Sequence, residues 1–307
     1  LKKTAAKGLY RQRFKAMGSP CDIQLYAATE GEGQRVAAVV IADVQRLEAL
    51  YSRYRPDSFL SEINRAAAAG DSIEVDAETA GLLNYAATAY RESDGLFDIT
   101  SGLLRQVWRF GADAGLPDPA AVNALLDRVG WHKLRWEPPL LAFPCPGMEI
   151  DFGGVVKEYA VDRAAALCRE HGLGHGVINL GGDIRIIGPH PDGSPWRIGL
   201  RHPRDPGGVL DTVLLHRGGL ASSGDYERCI VLDGVRYGHV LNPKTGWPVR
   251  HLAAVNVVAD FCVVAGSAST IAMLKEAEGP RWLHQLGLPH LWVDVDGRVG
   301  GSLLHGS

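Results

Sequence analysis

IDFGGVVKEYAVDRAAALCREHG, Ile150 to Gly172, is the stretch that decides how this chain folds. It reads as a strand end, a glycine turn and an amphipathic helix. Val155, Val156, Tyr159, Ala160, Ala164 and Leu167 recur at helical spacing, so one face can pack against a sheet. The Gly153-Gly154 pair lets backbone approach a ligand closely, and the first N–H groups of a helix attract anions. Asp151 before the turn and Lys157 inside the first turns suit a polyanion with a divalent metal. An ordinary strand–turn–helix connection capped by Asp151 fits the same residues.

Working outward, Phe14 to Tyr26 alternates Cys21, Ile23 and Leu25 against Asp22 and Gln24, the pattern of a half-buried strand. Val36, Val40, Val44, Leu47 and Tyr51 form one stripe of a helix over Gln34–Tyr51. Ser58 and Glu62 mark the start of a short capped helix. Thr79 to Ser93 continues as a helix that ends at the turn signal Asp94-Gly95. Pro119 to Val129 is the one helix expected in an irregular stretch from Gly111 to Pro146. Strands follow at Val177–Leu180, Ile184–Ile187, Arg197–Arg201 and Val209–Leu215. Asp233-Gly234 joins Cys229–Leu232 to Val235–Val240, and Asp296-Gly297 joins Leu291–Val295 to Arg298–Val299, each as a hairpin. Between these hairpins lie a strand, Ala253–Val258, and a helix, Val263–Glu276. Without regular βαβ alternation, the expected class is α+β, with mixed or antiparallel sheets and packed helices. Residues 1–307 are read as a single domain, built as one unit or as two intimately joined α+β halves.

The chain of 307 residues carries a formal charge of −3, which gives no electrostatic case for nucleic acid as a partner. No apolar run approaches the ~18 residues of a membrane span. The chain starts at Leu1 rather than Met, so a leader is expected to have been removed or omitted. Leu1 to Tyr10 lacks the apolar centre of a signal peptide. Cys21, Cys145, Cys168, Cys229 and Cys262 form no CxxC pair, so zinc and a disulfide framework are not indicated and buried free thiols are expected. There is no Walker loop, and NLGGDIRIIG does not match GxGxxG.

Five further segments set isolated polar residues on glycine turns: AMGSP (16–20), DGLFDIT (94–100), NLGGDIRIIG (179–188), ASSGDYER (221–228) and HVLNPKTGWP (239–248). Each has an ordinary structural reading. Asp98 can cap the turn at Thr100, Asp183 can be a turn carboxylate, and His239 can be a satisfied structural histidine. Taken together with SRYRPDSFLSEIN and IDFGGVVKEYAVDRA, in this order, they resemble the ApbE family, the FAD:protein FMN transferases. The resemblance runs from about Phe14 to about Thr270.

The resemblance implies an ApbE-like flavin transferase fold that binds FAD, as a substrate, in an extended cleft. It implies Mg²⁺-dependent cleavage of the FAD pyrophosphate, release of AMP, and attachment of FMN to a Thr or Ser of an acceptor flavoprotein. The acceptor motif would be of the form D-x-x-[ST]-[GS]-A-[TS]. Family members act on membrane redox complexes and related extracytoplasmic carriers, so a periplasmic or membrane-anchored location is implied. Met17, Tyr54, Leu96, Phe97, Asp98, Asp151, Lys157, Asp183, His239 and Val240 fall on cofactor-binding positions. Asn242 stands where the family's HxxDPxTG segment commonly has Asp. Asp183 and Thr270 are the catalytic candidates, with Asp183 as general base toward the acceptor hydroxyl. The implied metal positions are the Gly154 carbonyl, Thr270 and position 266.

Position 266 departs from the family. The motif A-D-A-x-x-T puts Asp and Thr four residues apart on one helix face. Here it reads AGSAST (265–270), with Thr270 kept and Gly266 in the Asp position. Glu158, where the family usually has Gly, is expected to face solvent. Three readings stand at this point. The chain is a flavin transferase; or a FAD-binding homologue with weak or lost activity because of Gly266; or a conventional flavin oxidoreductase, for which no nicotinamide motif or redox cysteine pair is present.

Overall fold

Alternation in Ser19–Ala27 buries Cys21, Ile23, Leu25 and Ala27 on one side of a strand, which makes it the inner member of a hairpin. The computed structural model describes residues 8–111 and 114–304. The expected single strand over Phe14–Tyr26 is a hairpin: β1 (Gly8–Ala16) and β2 (Ser19–Ala27) turn at Met17-Gly18, both with positive φ. The Met17 N–H donates to Glu48 Oε1 at 2.7 Å, which holds that turn against the next helix. The reading of Leu1–Tyr10 falls, for residues 1–7, outside the described residues.

Helices α1 (Glu30–Tyr51) and α2 (Phe59–Ala69) follow, then β3 (Ser72–Glu74) and α3 (Ala77–Glu92). Their starts are capped by Thr29, Ser58 and Asp76, each accepting a first-turn N–H. A 3₁₀ stretch, Ile99–Gln106, leads to α4 (Pro119–Leu126), β4 (Arg135–Glu137) and β5 (Leu140–Ala142). After α5 (Val156–Glu170) the chain is mostly strand: β6 (Gly176–Leu180), β7 (Asp183–Gly188), β8 (Trp196–Arg201), β9 (Val209–Leu215), β10 (Gly218–Gly224), β11 (Cys229–Leu232), β12 (Val235–Gly238) and β13 (Leu252–Ala259). It closes with α6 (Cys262–Leu274), α7 (Gly279–Gln285), β14 (His290–Asp294) and β15 (Val299–Gly300).

Eight strands form the central sheet in the order β1-β2-β6-β7-β10-β13-β14-β15, and every adjacent pair is antiparallel. The α+β class holds, with antiparallel rather than mixed sheets. One sheet face is covered by α1, α5 and α6, whose apolar stripes join the main core around Ile23, Leu47, Ala160 and Cys262. The other face is covered by the β8–β9 hairpin through Trp196, Leu200, Val213 and Leu215. A third cluster packs Leu104, Trp108 and Leu125 against Ile230. All five cysteines are free; Cys21, Cys168 and Cys262 are buried as expected, whereas Cys145 and Cys229 are only half-buried.

Two consequences position the site. β6 and β7 turn at Gly181 and Gly182, whose φ of +63° and +99° would strain any side-chain-bearing residue, and Asp183 starts the outgoing strand. Meanwhile α5 and α6 pack against each other over the same sheet face.

Candidate active site

The turn opening α5 is held by side chains rather than by a sheet. Ile150 lies outside any strand, which corrects the expected strand end. Instead its N–H donates to Asn64 Oδ1 at 2.8 Å and its carbonyl accepts from Asn64 Nδ2 at 3.0 Å. A buried backbone needs both bonds, and one carboxamide supplies them where a neighbouring strand would. The next N–H, of Asp151, donates to the Ile99 carbonyl at 2.8 Å.

Asp151 then closes the turn. Its Oδ1 accepts the Gly153 N–H at 2.9 Å, and its Oδ2 pairs with Arg53 at 2.5 Å. It therefore caps the glycine turn and not α5. Val155, the residue before the helix, makes no side-chain cap bond; the Val156 N–H donates to the Phe152 carbonyl and the Tyr159 N–H to the Val155 carbonyl, each at 2.9 Å, so in the first turn the Lys157 and Glu158 N–H groups are the ones without a backbone acceptor. Arg53 also lies 5.0 Å over the Tyr54 ring and donates to its hydroxyl at 2.9 Å. Tyr54 is 73% exposed, a flat aromatic face on the rim. Desolvation works against its phenolate, yet Arg53 and Arg228 hold the phenol below its ordinary pKa.

Lys157, in the first turn of α5, reaches Asp183 at 2.6 Å. Burial pushes the Asp183 carboxyl above its ordinary value, and the Lys157 ammonium opposes that shift. Desolvation likewise penalises the Lys157 ammonium, but Asp183 and Glu158 outweigh it and hold the group protonated far above its usual range. The Met17 turn adjoins this pair: the Gly181 N–H donates to the Pro20 carbonyl at 3.1 Å, and a Cβ on Gly181 would lie 4.0 Å from Lys157 Nζ.

Glu158 does not face solvent. It is 8% exposed, and burial, followed by repulsion from Asp183, pushes its carboxyl up to about 8. It points at α6, directly onto Gly266: a Cβ there would lie 2.6 Å from Glu158 Cγ and 2.7 Å from Oε1. One turn further along α5, Asp162 accepts the N–H groups of Cys262 (2.9 Å) and Val263 (3.0 Å) and so caps α6. On α6, Thr270 shares a hydroxyl network with Ser223 of β10 at 3.0 Å, and Ser223 lies 2.8 Å from Ser269. The hydroxyl of Ser267 instead accepts from Tyr85 at 3.0 Å.

The remaining predicted residues divide. Phe97 is buried beside the glycine turn, where a Cβ on Gly154 would touch its Cζ at 3.4 Å; Leu96 is half-buried on the same loop. Asp98 is fully engaged inside the protein, accepting from the Thr100 N–H and hydroxyl and from the Trp131 N–H. Its capping reading is borne out by this geometry. His239 is exposed; desolvation by surrounding protein, then the Arg228 cation, push its pKa below the ordinary value, and Lys157 is close enough to add to this. Val240 is half-buried against the main core, its carbonyl accepting the Val249 N–H at 3.0 Å.

Contacts and charge interactions therefore link Tyr54, the Asp151–Gly154 turn, Lys157, Asp183 and His239, with Arg53 and Arg228 between them, and α6, which bears Thr270, packs against α5. Three residues escaped selection from sequence: Arg53, Glu158 and Arg228. Arg53 and Arg228 stand inside motifs already singled out. Among the described residues, no group of three or more His, Cys, Asp or Glu side chains is arranged to hold a metal ion.

Residues 17–292 match the family model described as the ApbE family. The chain belongs to the ApbE family. Among relatives in that family, a FAD:protein FMN transferase of Rhodobacter capsulatus is 29% identical over 90% of this chain, and one of Vibrio cholerae is 30% identical over 74%. The chain spans 54% of the length of the first and 70% of the second. The fold agrees with solved ApbE structures. That of the Thermotoga maritima ApbE protein gives a TM-score of 0.88 at 30% identity, covering 96% of this chain and 97% of that one. The flavin transferase ApbE of V. cholerae gives 0.84 at 26% identity, covering 96% and 98%.

Proposed function

We propose that this chain is a FAD:protein FMN transferase, moving FMN from FAD to a Thr or Ser of an acceptor flavoprotein and releasing AMP. The observation that carries this reading is the Lys157–Asp183 pair at the uncapped start of α5, beside an exposed aromatic face at Tyr54. Uncapped helix N–H groups and a fixed ammonium suit a diphosphate. An aromatic ring suits a flat heterocycle.

In the reaction, the acceptor hydroxyl oxygen bonds to the phosphorus of the FMN half. The bridging P–O bond breaks, and AMP leaves with its electron pair. Asp183 takes the hydroxyl proton; a carboxyl with a raised pKa is the better base for this step. Lys157 and the α5 N–H groups hold the negative charge that builds on the phosphoryl oxygens.

Mg²⁺ supplies further neutralisation of the diphosphate when bound. The donors present fit it: the Gly154 carbonyl, the Thr270 hydroxyl and a buried carboxylate, with phosphate oxygens and water completing an octahedron that needs only one or two protein carboxylates. The acceptor is proposed to carry a D-x-x-[ST]-[GS]-A-[TS] motif and to work in the periplasm or at the membrane. Among the described residues no helix is long and apolar enough to cross a membrane.

Gly266 alone favours the second reading, a FAD-binding relative without transfer. Incubation with FAD, Mg²⁺ and an acceptor-motif peptide separates the two. Covalent FMN on the peptide with equimolar AMP supports transfer; bound FAD with neither product supports the second reading.

A further inference from the structure

We infer that Glu158 is the carboxylate ligand of the divalent cation in this chain, its side chain filling from α5 the space that Gly266 leaves open on α6. This rests on the transferase reading for the identity of the site, but it is argued from the helix pair itself. Glu158 is 8% exposed, and among the described residues its Oε2 is buried without a hydrogen-bond partner. No ion pair is formed to it there, whereas the neighbouring carboxylates, buried Asp183 and half-buried Asp162, have cations of their own. Asp183 is paired with Lys157 at 2.6 Å, and Asp162 with Arg185 at 3.2 Å. A buried carboxylate oxygen without a donor is costly, and bound cations are the usual remedy besides a salt bridge.

The direction of the side chain is also set. Asp162 and Glu158 stand one turn apart on α5 and face Cys262 and Gly266, one turn apart on α6. The cap at Asp162 thus fixes the register that puts Glu158 on Gly266. A side chain at 266 would force Glu158 out of its present position, because a Cβ at 266 would come within 2.6 Å of Glu158 Cγ. Thr270, four residues beyond Gly266, lies on the same face of α6. The Glu158 carboxylate therefore lies over the face of α6 that carries the Thr270 hydroxyl one turn on.

The test is Mn²⁺ binding to the full chain with FAD present, followed by the electron paramagnetic resonance of free Mn²⁺. Glu158→Gln keeps the side chain's shape and is expected to weaken Mn²⁺ by roughly tenfold or more, since even changes outside the ligand shell cost that much. The exchange Glu158→Gly with Gly266→Asp, which clears the contact and moves the carboxylate to α6, is expected to recover most of it. FAD affinity in EDTA, read by flavin fluorescence, is expected to stay the same in all three proteins. Unchanged Mn²⁺ affinity in Glu158→Gln, or no Mn²⁺ binding by the native chain, overturns the inference. A carboxylate that only packs would move the melting temperature without moving Mn²⁺ affinity. AMP release is scored separately: Mn²⁺ held through Glu158 with no release leaves the ligand assigned and removes the transferase.

Discussion

Glu158 and Gly266 occupy one volume between α5 and α6: the first fills it with a carboxylate, and the second leaves it open by lacking a Cβ. Their coupling should reverse the sign of a single substitution. With Glu158 present, Gly266→Ala forces a buried Cγ aside and is expected to destabilise by about 1–3 kcal/mol, offset in part by helix propensity. In a Glu158→Ala background, the same change is expected to stabilise by up to about 1 kcal/mol. Urea unfolding of the four proteins of this cycle measures the coupling; additive effects would mean that the two positions do not meet.

Asp162 sets where α6 begins. Removing it in Asp162→Ala deprives two N–H groups of their cap and leaves Arg185 without its partner. The expected loss is about 2–4 kcal/mol. Hydrogen exchange should then show Cys262 and Val263 opening before the rest of α6. Unchanged protection at these two amides would remove the cap from the account.

At the glycine turn, Asp151 holds both the Gly153 N–H and Arg53. Asp151→Ala is expected to loosen the turn and free Arg53 to swing, weakening FAD by about tenfold even though a negative charge has been removed near a polyanion. Flavin fluorescence titration reads this directly. Tighter FAD binding would show that charge, and not positioning, is what Asp151 contributes.

Acid sensitivity should appear where Glu78 of α3 meets Arg46 and Tyr159. Its Oε2 accepts from Arg46 at 2.6 Å and its Oε1 from Tyr159 at 2.9 Å, so α3 is tied to α1 and α5. The Arg46 bond outweighs partial burial and holds Glu78 below its ordinary value of 4.5. A depressed carboxylate stabilises the fold above its unfolded pKa and loses that contribution as pH falls through the folded one. Native stability should therefore decline below about pH 4.5 more steeply than that of Glu78→Gln. Parallel slopes in urea unfolding between pH 3 and 7 would contradict this.

Much of the framework was legible because local chemistry agreed with the fold. The type I′ turn at Asp233-Gly234, the caps at Ser58 and Asp98, and the stripe from Val36 to Tyr51 all depend on residues close in sequence. The misreadings have long-range causes. Ile150 looked like a strand end, but its hydrogen bonds come from Asn64 on another element. Glu158 looked solvent-facing because its charge argued for the surface. Only the packing of α5 on α6 reveals that the residue opposite is a glycine. Arg53 was hidden in a motif whose aromatic member drew the attention.

The central claim is that the start of α5 holds a diphosphate through Lys157 and its first N–H groups, and calorimetry tests it most directly. Titration of FAD into the native chain with Mg²⁺ should give a single saturable site, and Lys157→Ala should weaken it by about tenfold or more. No heat from the native chain, or equal affinity in Lys157→Ala, would contradict the account.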